Sequence, residues 1–310
     1  MATTPRRASI DIGSNTIRVL VAAGEGPGLQ RLEVRRRITR LSGGFDGNLS
    51  DAAMQRTLEA AGEFAAFARE QGAEQIRVGC TGVVRRAENR DDFLWEVEKV
   101  TDVPPVLLSG EVEADLAGRG ARHHLGPTTP ELVLVDVGGF STELSIVGEH
   151  TSHIASFDLG VVRLTEDLLT GDPPSPEQLA AARRHCDDIL GFYFQRPTPR
   201  LIAGIAGTPT TIAAVLQGLT VYDPAKVHRF AAGREAMNGL LARLVAMPAA
   251  DRLTHFPGLE KGREDLLPAG ILIIDSAMRL GGYDEFLVSE GGLLDGLLLS
   301  EQWPPANNNA

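Results

Sequence analysis

Cysteine is almost missing from this chain: Cys80 and Cys186 are the only two in 310 residues. Two cysteines cannot build a disulfide framework, which is consistent with a reducing compartment. No Cys/His cluster has zinc-ligand spacing, and His123-His124 is an isolated pair. Long apolar runs are missing too. None approaches the roughly 18 residues that a membrane-spanning helix needs. No apolar stretch typical of a signal peptide precedes Asp11. The expectation is a cytoplasmic protein without membrane association. Positive charge is in deficit, and a net charge of −11 argues against a general nucleic-acid binder.

What is present is the composition of an ordinary α/β protein, 43% hydrophobic and 23% charged, with 34 glycines. The length suggests two domains. The charge is unevenly spread. Residues 1–126 carry 17 Lys+Arg against 18 Asp+Glu, and the rest carries 13 against 23. The basic residues gather at Arg31, Arg35, Arg36, Arg37 and Arg40, and again at Arg85, Arg86 and Arg90. An anionic ligand would approach the first half more easily. Read alone, the Arg35–Arg40 run is a solvated strand face.

The pattern of apolar residues and turns predicts a β-hairpin, Ala8–Ile12 and Thr16–Ala23, turning at Gly13-Ser14-Asn15. A basic alternating segment follows at Leu32–Leu41. Ser50 suits the N-cap of a helix running to about Gln71, with Gly72 after it. Its Leu58, Ala61, Phe64, Ala65 and Ala68 share one face. A strand at Gln75–Cys80, a helix at Arg90–Val100, a strand at Val106–Leu108 and a helix at Glu111–His124 complete this half. The second half starts with another strand–turn–strand: Glu131–Val137, Gly138-Gly139-Phe140-Ser141, Thr142–Val147. A strand at Ile154–Leu159, a helix at Pro176–Tyr193 and a strand at Leu201–Ile205 come next. Helices at Thr208–Leu216, Arg234–Val245 and Leu266–Arg279 lead to a last strand, Phe286–Ser289. Pro304, Pro305 and Asn307–Asn309 read as a frayed end.

The informative feature is a weak internal repeat. Ile10-Asp11-Ile12-Gly13 matches Val135-Asp136-Val137-Gly138, 125 residues later. Each places an aspartate near the end of a strand, before a glycine turn with hydroxyls and a second strand. The offset is about one domain. A duplicated domain would set the two turns across a cleft from each other. Glycine turns let backbone N–H groups approach phosphate oxygens. Three segments have that character: Gly13-Ser14-Asn15-Thr16, Gly138-Gly139-Phe140-Ser141-Thr142, and Gly204-Ile205-Ala206-Gly207-Thr208, the last opening a helix. Asp11, Asp136 and Glu143 are the nearby carboxylates, of the hard-oxygen type that magnesium accepts. Each residue also has a plainer reading, as a turn cap or a strand-surface group.

Asp11-Ile-Gly-Ser-Asn-Thr-Ile-Arg18 resembles the opening motif of the exopolyphosphatase/guanosine pentaphosphate phosphatase family. Cys80-Thr81-Gly-Val-Val-Arg85 with Asn89, Ser109-Gly-Glu-Val-Glu-Ala114 and Asp136-Val-Gly-Gly-Phe-Ser-Thr-Glu143 resemble its next three. Leu159-Gly-Val-Val-Arg163-Leu164, Gly207-Thr208 with Thr210-Thr211, Arg263-Glu-Asp265 with Pro268-Ala-Gly270, and Val288-Ser289 with Gly292-Leu293 follow in family order. The match spans roughly residues 8–300. Asp115, Phe140 and Leu294 stand where the family usually has arginine, glycine and arginine.

The resemblance implies an α/β fold of two ribonuclease-H-like domains of the actin-like ATPase superfamily flanking a cleft. The domain boundaries expected are 1–126 and 127–310. It implies removal of terminal phosphate from polyphosphate or from pppGpp, with Mg2+, by a cytoplasmic homodimer of the short form. Glu113 corresponds to the family's catalytic glutamate and Arg85 to its phosphate-contacting arginine. Gly13, Ser14, Asn15, Arg18, Thr81, Gly138, Gly139, Ser141, Thr142, Gly207 and Thr208 fall in phosphate-binding positions, and Asp136, Asp11 and Glu143 at the metal. Without the resemblance, Glu113 is an acidic residue favoured in a helix's first turn, Glu111 is an equal candidate, and Arg85 and Arg86 read as surface arginines. A non-catalytic phosphate or nucleotide sensor is the alternative from another functional class.

Overall fold

The computed structural model describes residues 4–305. The chain forms two compact units, Met1–His123 with Gly291–Ala310, and His124–Glu290. In the first, β1 (Arg6–Ile12), β2 (Thr16–Ala23) and β3 (Gln30–Ile38) form an antiparallel meander. α1 (Asp51–Glu70), β4 (Ala73–Cys80), α2 (Arg90–Thr101), β5 (Pro105–Leu107) and α3 (Gly110–Leu125) follow. The sheet order is β3-β2-β1-β4-β5, with β4 and β5 parallel to β1.

The second unit begins with β6 (Leu132–Val137), β7 (Thr142–Val147) and β8 (Thr151–Phe157), again an antiparallel meander. After it come α4 (Val161–Leu168), α5 (Pro176–Leu190), β9 (Leu201–Ile205), α6 (Gly207–Leu216) and α7 (Pro224–Val227). The unit ends with β10 (Ala231–Gly233), α8 (Arg234–Leu244), α9 (Ala249–His255), α10 (Leu267–Gly281) and β11 (Glu285–Val288). Its sheet order is β10-β11-β9-β6-β7-β8, with β9 parallel to β6 and β11 parallel to β9. Apart from β10, each unit thus repeats one topology: a three-strand meander whose first strand then gains two parallel neighbours. This is the repeat suggested by the two aspartate turns, and it gives a mixed α/β fold of two units, each built on its own sheet.

The chain's last helix, α11 (Leu293–Leu299), belongs to the first unit. This differs from the expected boundary, which put everything after residue 126 in the second domain. The cause is packing. Leu294 and Leu298 join Leu20, Ala22 and Leu29 in one buried cluster. Ser9 Oγ donates to Leu294 O at 2.7 Å. Arg77, buried, donates through Nη1 to the α11 end carbonyls of Leu297 and Ser300. Arg31 makes a two-pronged pair with the buried Asp295. α1 covers the other face of the sheet, burying Phe64 and Phe67. Full burial of such a side chain is worth about 1.5–3 kcal/mol.

Most expected elements are present within a few residues. Ser50 holds the N-cap position of α1 but its side chain makes no capping bond. Leu58 is only half-buried. Helices α4, α7, α9 and α11 and the strand β10 were not expected. Asn307–Asn309 lie outside the described residues. No described helix is long and apolar enough to cross a membrane.

Candidate active site

In the first unit the candidate residues collect at the carboxyl ends of β1, β4 and β5, the side on which open α/β sheets bind ligands. After β1, Gly13 N–H closes a tight turn on Thr16 O at 3.1 Å. The turn after β4 locks into it. Thr81 N–H donates to Ile12 O at 3.0 Å and Val83 N–H to Ser14 Oγ at 2.8 Å. Gly82 has φ +56, and a Cβ there would lie 2.2 Å from Ser14 Oγ, so only glycine fits. Gly13, Ser14 and Thr81 therefore hold two turns together.

Asp11 is buried and accepts from Arg18 Nε at 2.9 Å and from Arg18 Nη2, all on Oδ2. Its Oδ1 has no hydrogen-bond partner in the protein. The Asn15 side-chain O and N, Thr39 Oγ1 and Ser42 Oγ are buried in the same condition. They are neighbours in the fold: Thr39 and Arg40 N–H both donate to Asn15 O, and Ser42 N–H to Ser14 O. Buried polar groups without partners are costly and unusual. Five such atoms on one turn and the segment bonded to it could be satisfied by a polar ligand, which makes this turn a candidate binding place. Thr39 and Ser42 are additions to the expected set.

After β5, Ser109 starts α3: its carbonyl accepts from Glu113 N at 2.9 Å and its Oγ from Val112 N at 3.3 Å. That places Glu113 in the helix's first turn, buried, while Glu111 is exposed. Arg85 Nη1 donates to Glu113 Oε2 at 2.5 Å and to Leu108 O at 3.0 Å. Arg86, next in sequence, is exposed. Burial pushes the Glu113 carboxyl above the ordinary carboxylate range. The Arg85 charge and hydrogen bond oppose this, the Asp11 charge adds to it, and the Arg18 charge opposes it. Glu113, Arg85, Asp11 and Arg18 thus form one electrostatic group. Asp115 is paired with Arg119 one turn on, and Leu294 is a core residue.

The second unit has its own constellation at the carboxyl ends of β6 and β9. Asp136 and Glu143 stand opposite each other in the β6–β7 register, both buried. Ser156 Oγ donates to Glu143 Oε1 at 2.8 Å. In the turn between them Gly138 N–H donates to Ser141 O at 2.9 Å. The start of α4 grips this turn: Val161 N–H donates to Gly138 O and Val162 N–H to Gly139 O. Thr142 Oγ1 donates to Leu159 O. A Cβ on Gly160 would lie 2.3 Å from Gly139 O, so the segment can approach this closely only as glycine. Phe140 is buried, with the Arg163 guanidinium 6.0 Å from its ring centre, so its ring is taken up by packing.

After β9, Gly207 opens α6, with Thr208 buried behind it. A Cβ on Gly207 would lie 2.1 Å from Arg263 Nη2, so a guanidinium lies against this helix start. Arg263 also donates to Glu260 at 2.8 Å. The sequence placed Arg263 in a motif but gave it no role at the third glycine turn.

Among the described residues no group of three or more His, Cys, Asp or Glu side chains could hold a metal by itself. Magnesium does not need one: it commonly takes one or two carboxylates and fills its shell with water and substrate phosphate. The facing Asp136 and Glu143 suit that pattern, as does the unbonded Oδ1 of Asp11.

The Ppx/GppA phosphatase family matches residues 19–303. Exopolyphosphatase 2 of Mycobacterium tuberculosis is 35% identical over 317 aligned residues, covering 95% of this chain and 98% of that protein. The solved Ppx/GppA enzyme of Aquifex aeolicus superposes with a TM-score of 0.82 at 29% identity, covering 96% of this chain and 99% of that one. A solved exopolyphosphatase of Cytophaga hutchinsonii has the same fold, with a TM-score of 0.86 at 22% identity, 94% of this chain and 96% of that one covered.

Proposed function

This chain belongs to the Ppx/GppA phosphatase family, enzymes acting on phosphoanhydride bonds, and from that premise we propose that it hydrolyses the terminal phosphoanhydride of inorganic polyphosphate. The observation that carries the proposal is the pair of the half-buried Arg85, from the turn after β4, with the buried Glu113 at the start of α3. Glu113 takes a proton from a water molecule as the water oxygen attacks the terminal phosphorus. The bond from that phosphorus to the bridging oxygen breaks, giving inorganic phosphate and a chain one unit shorter. A carboxyl held above the ordinary range by burial is a stronger base than a solvated one. Arg85, fixed by Leu108 O, presents planar donors to the phosphoryl oxygens. The turn at Gly13–Asn15 in the same unit holds further phosphate oxygens, and the turns at Gly138–Thr142 and Gly207–Thr208 give the second unit phosphate-binding backbone of its own. Asp136 and Glu143 of the second unit would hold Mg2+, which would supply charge neutralisation when bound.

Asp115, which stands where the family usually has arginine, is paired with Arg119, and Phe140, which stands where it usually has glycine, is buried. The groups that act on polyphosphate would also cleave the 5′-terminal phosphate of pppGpp, the other substrate that the resemblance of the motifs implies. Phosphate release from polyphosphate and from pppGpp, each with magnesium, tests the proposal. Faster release from polyphosphate is expected, and no release from it would overturn the reading.

A further inference from the structure

The motif that carries Arg85 ends at Asn89, the residue that precedes α2. Asparagine there ordinarily caps its helix by accepting from a free N–H of the first turn. Asn89 does not. Its side chain makes no capping bond, and its backbone, at φ −90 and ψ 22, is not extended as a cap requires. The carboxamide turns instead to the loop after β3. Leu49 N–H donates to Asn89 Oδ1 at 2.9 Å, and Asn89 Nδ2 donates to Leu49 O at 2.9 Å. Nδ2 also lies 3.9 Å from Met54 Sδ of α1. One side chain thus answers both peptide groups of one residue. Leu49 is buried, so either group left unmet is costly. Beside this pair, Glu88 N–H donates to Gly47 O at 2.9 Å.

These bonds close a frame around Arg85. The front of its turn is tied to the β1 turn, Thr81 N–H on Ile12 O and Val83 N–H on Ser14 Oγ. The back is tied to the loop after β3 through Glu88 and Asn89. That loop is tied at its own start to the β1 turn, Thr39 and Arg40 N–H on Asn15 O and Ser42 N–H on Ser14 O. Three segments therefore hold one another, and Arg85 lies between two fixed ends. Arg90 reinforces the back, its Nη1 donating to Arg85 O at 3.2 Å. Such fixing matters to a group that meets a transferring phosphoryl, because a misplacement of about 1 Å can cost about 10²-fold in rate. We infer that Asn89 is a positioning residue: through Leu49 it fixes the turn that holds the Arg85 guanidinium at Glu113. The effect on rate rests on the hydrolase reading above.

Asn89→Ser keeps a residue type suited to a helix start but cannot reach both peptide groups of Leu49. It is expected to lower kcat/KM for polyphosphate about tenfold or more, with the denaturant midpoint close to that of wild type. In an Arg85→Lys background the same substitution should change kcat/KM by less than about twofold, because the group it positions is already gone. Asn89→Asp keeps the bond from Leu49 N–H and loses only the one to Leu49 O, so it should show the same changes to a smaller degree. Reactivity of Arg85 toward phenylglyoxal, followed by peptide mass spectrometry, reads the position without turnover. Arg85 should react severalfold faster in Asn89→Ser than in wild type, and the exposed Arg86 equally in both. Ser50→Ala, at the N-cap position of α1 where the side chain makes no capping bond, should match wild type throughout. Full activity in Asn89→Ser, an equal loss with Arg or Lys at position 85, or unchanged Arg85 reactivity overturns the inference. Absence of phosphate release by wild-type protein counts against the hydrolase reading instead, and Arg85 reactivity then decides the inference alone.

Discussion

Arg85 Nη1 donates at once to the Glu113 carboxylate and to the Leu108 carbonyl, so one guanidinium is fixed against the candidate base from two sides. Lysine would keep the charge but lose the planar fork and one of these anchors. Arg85→Lys is expected to lower kcat/KM about 10- to 100-fold. Its cost in stability should stay under about 2 kcal/mol. Steady-state kinetics alongside denaturant unfolding check both. Wild-type kinetics would leave Arg85 as a structural partner of Leu108 only.

Glutamine at position 113 keeps the shape of the side chain but cannot take a proton. Glu113→Gln is expected to lower kcat by about 10²–10⁴ while substrate still binds. Glu111→Gln, at an exposed position two residues earlier, should be indistinguishable from wild type. The reverse pattern would mean that the base is misassigned.

The raised carboxyl of Glu113 has a signed consequence for pH. The base works ionised, so kcat/KM should rise with pH through a limb lying above the ordinary value of 4.5. Linkage gives the matching stability term. A carboxyl whose folded value is raised contributes stability that is fully present below its unfolded pKa and is lost as pH rises through the folded one. Denaturant midpoints of wild type and Glu113→Gln, compared across pH, should diverge in that window. An acid limb at or below 4.5 contradicts the electrostatics described for this site.

The seat of α11 depends on glycine. A Cβ on Gly296 would lie 1.8 Å from Leu116 O of α3, and one on Gly120 would lie 1.9 Å from Gly292 O. Backbone cannot yield as a side chain can, so Gly296→Ala should destabilise by about 1–3 kcal/mol. Gly239→Ala, in α8 with nothing near its Cβ position, should be neutral or stabilising by about 0.5–1 kcal/mol. Equal midpoints for the two variants would mean that α3 and α11 can part without loss.

The hairpins at Asp11 and Asp136 were legible in the sequence because alternating apolar strands and glycine turns are local signals. So was Glu113 as one of two acidic residues at a helix start, though only the family resemblance chose it over Glu111. Other features depended on distant backbone. Thr39 and Ser42 matter because their amides bond to Asn15 O and Ser14 O, and nothing in the run Thr39–Ser42 announces that. Arg263 reaches Gly207 across 56 residues of sequence. The leucines of α11 would suit either unit's core, and their packing on Leu20, Ala22 and Leu29 with the Ser9, Arg31 and Arg77 bonds shows which one takes them. The arginine run at β3 looked uniform until its register split Arg36 from Arg35 and Arg37.

Phosphate release from long-chain polyphosphate, with pppGpp and Glu113→Gln measured in parallel and magnesium present, tests the central claim most directly. Wild-type protein should release phosphate progressively from polyphosphate, faster than from pppGpp, and Glu113→Gln should release about 10²–10⁴ times less. Release from polyphosphate by Glu113→Gln at the wild-type rate, or none by wild type, would contradict it.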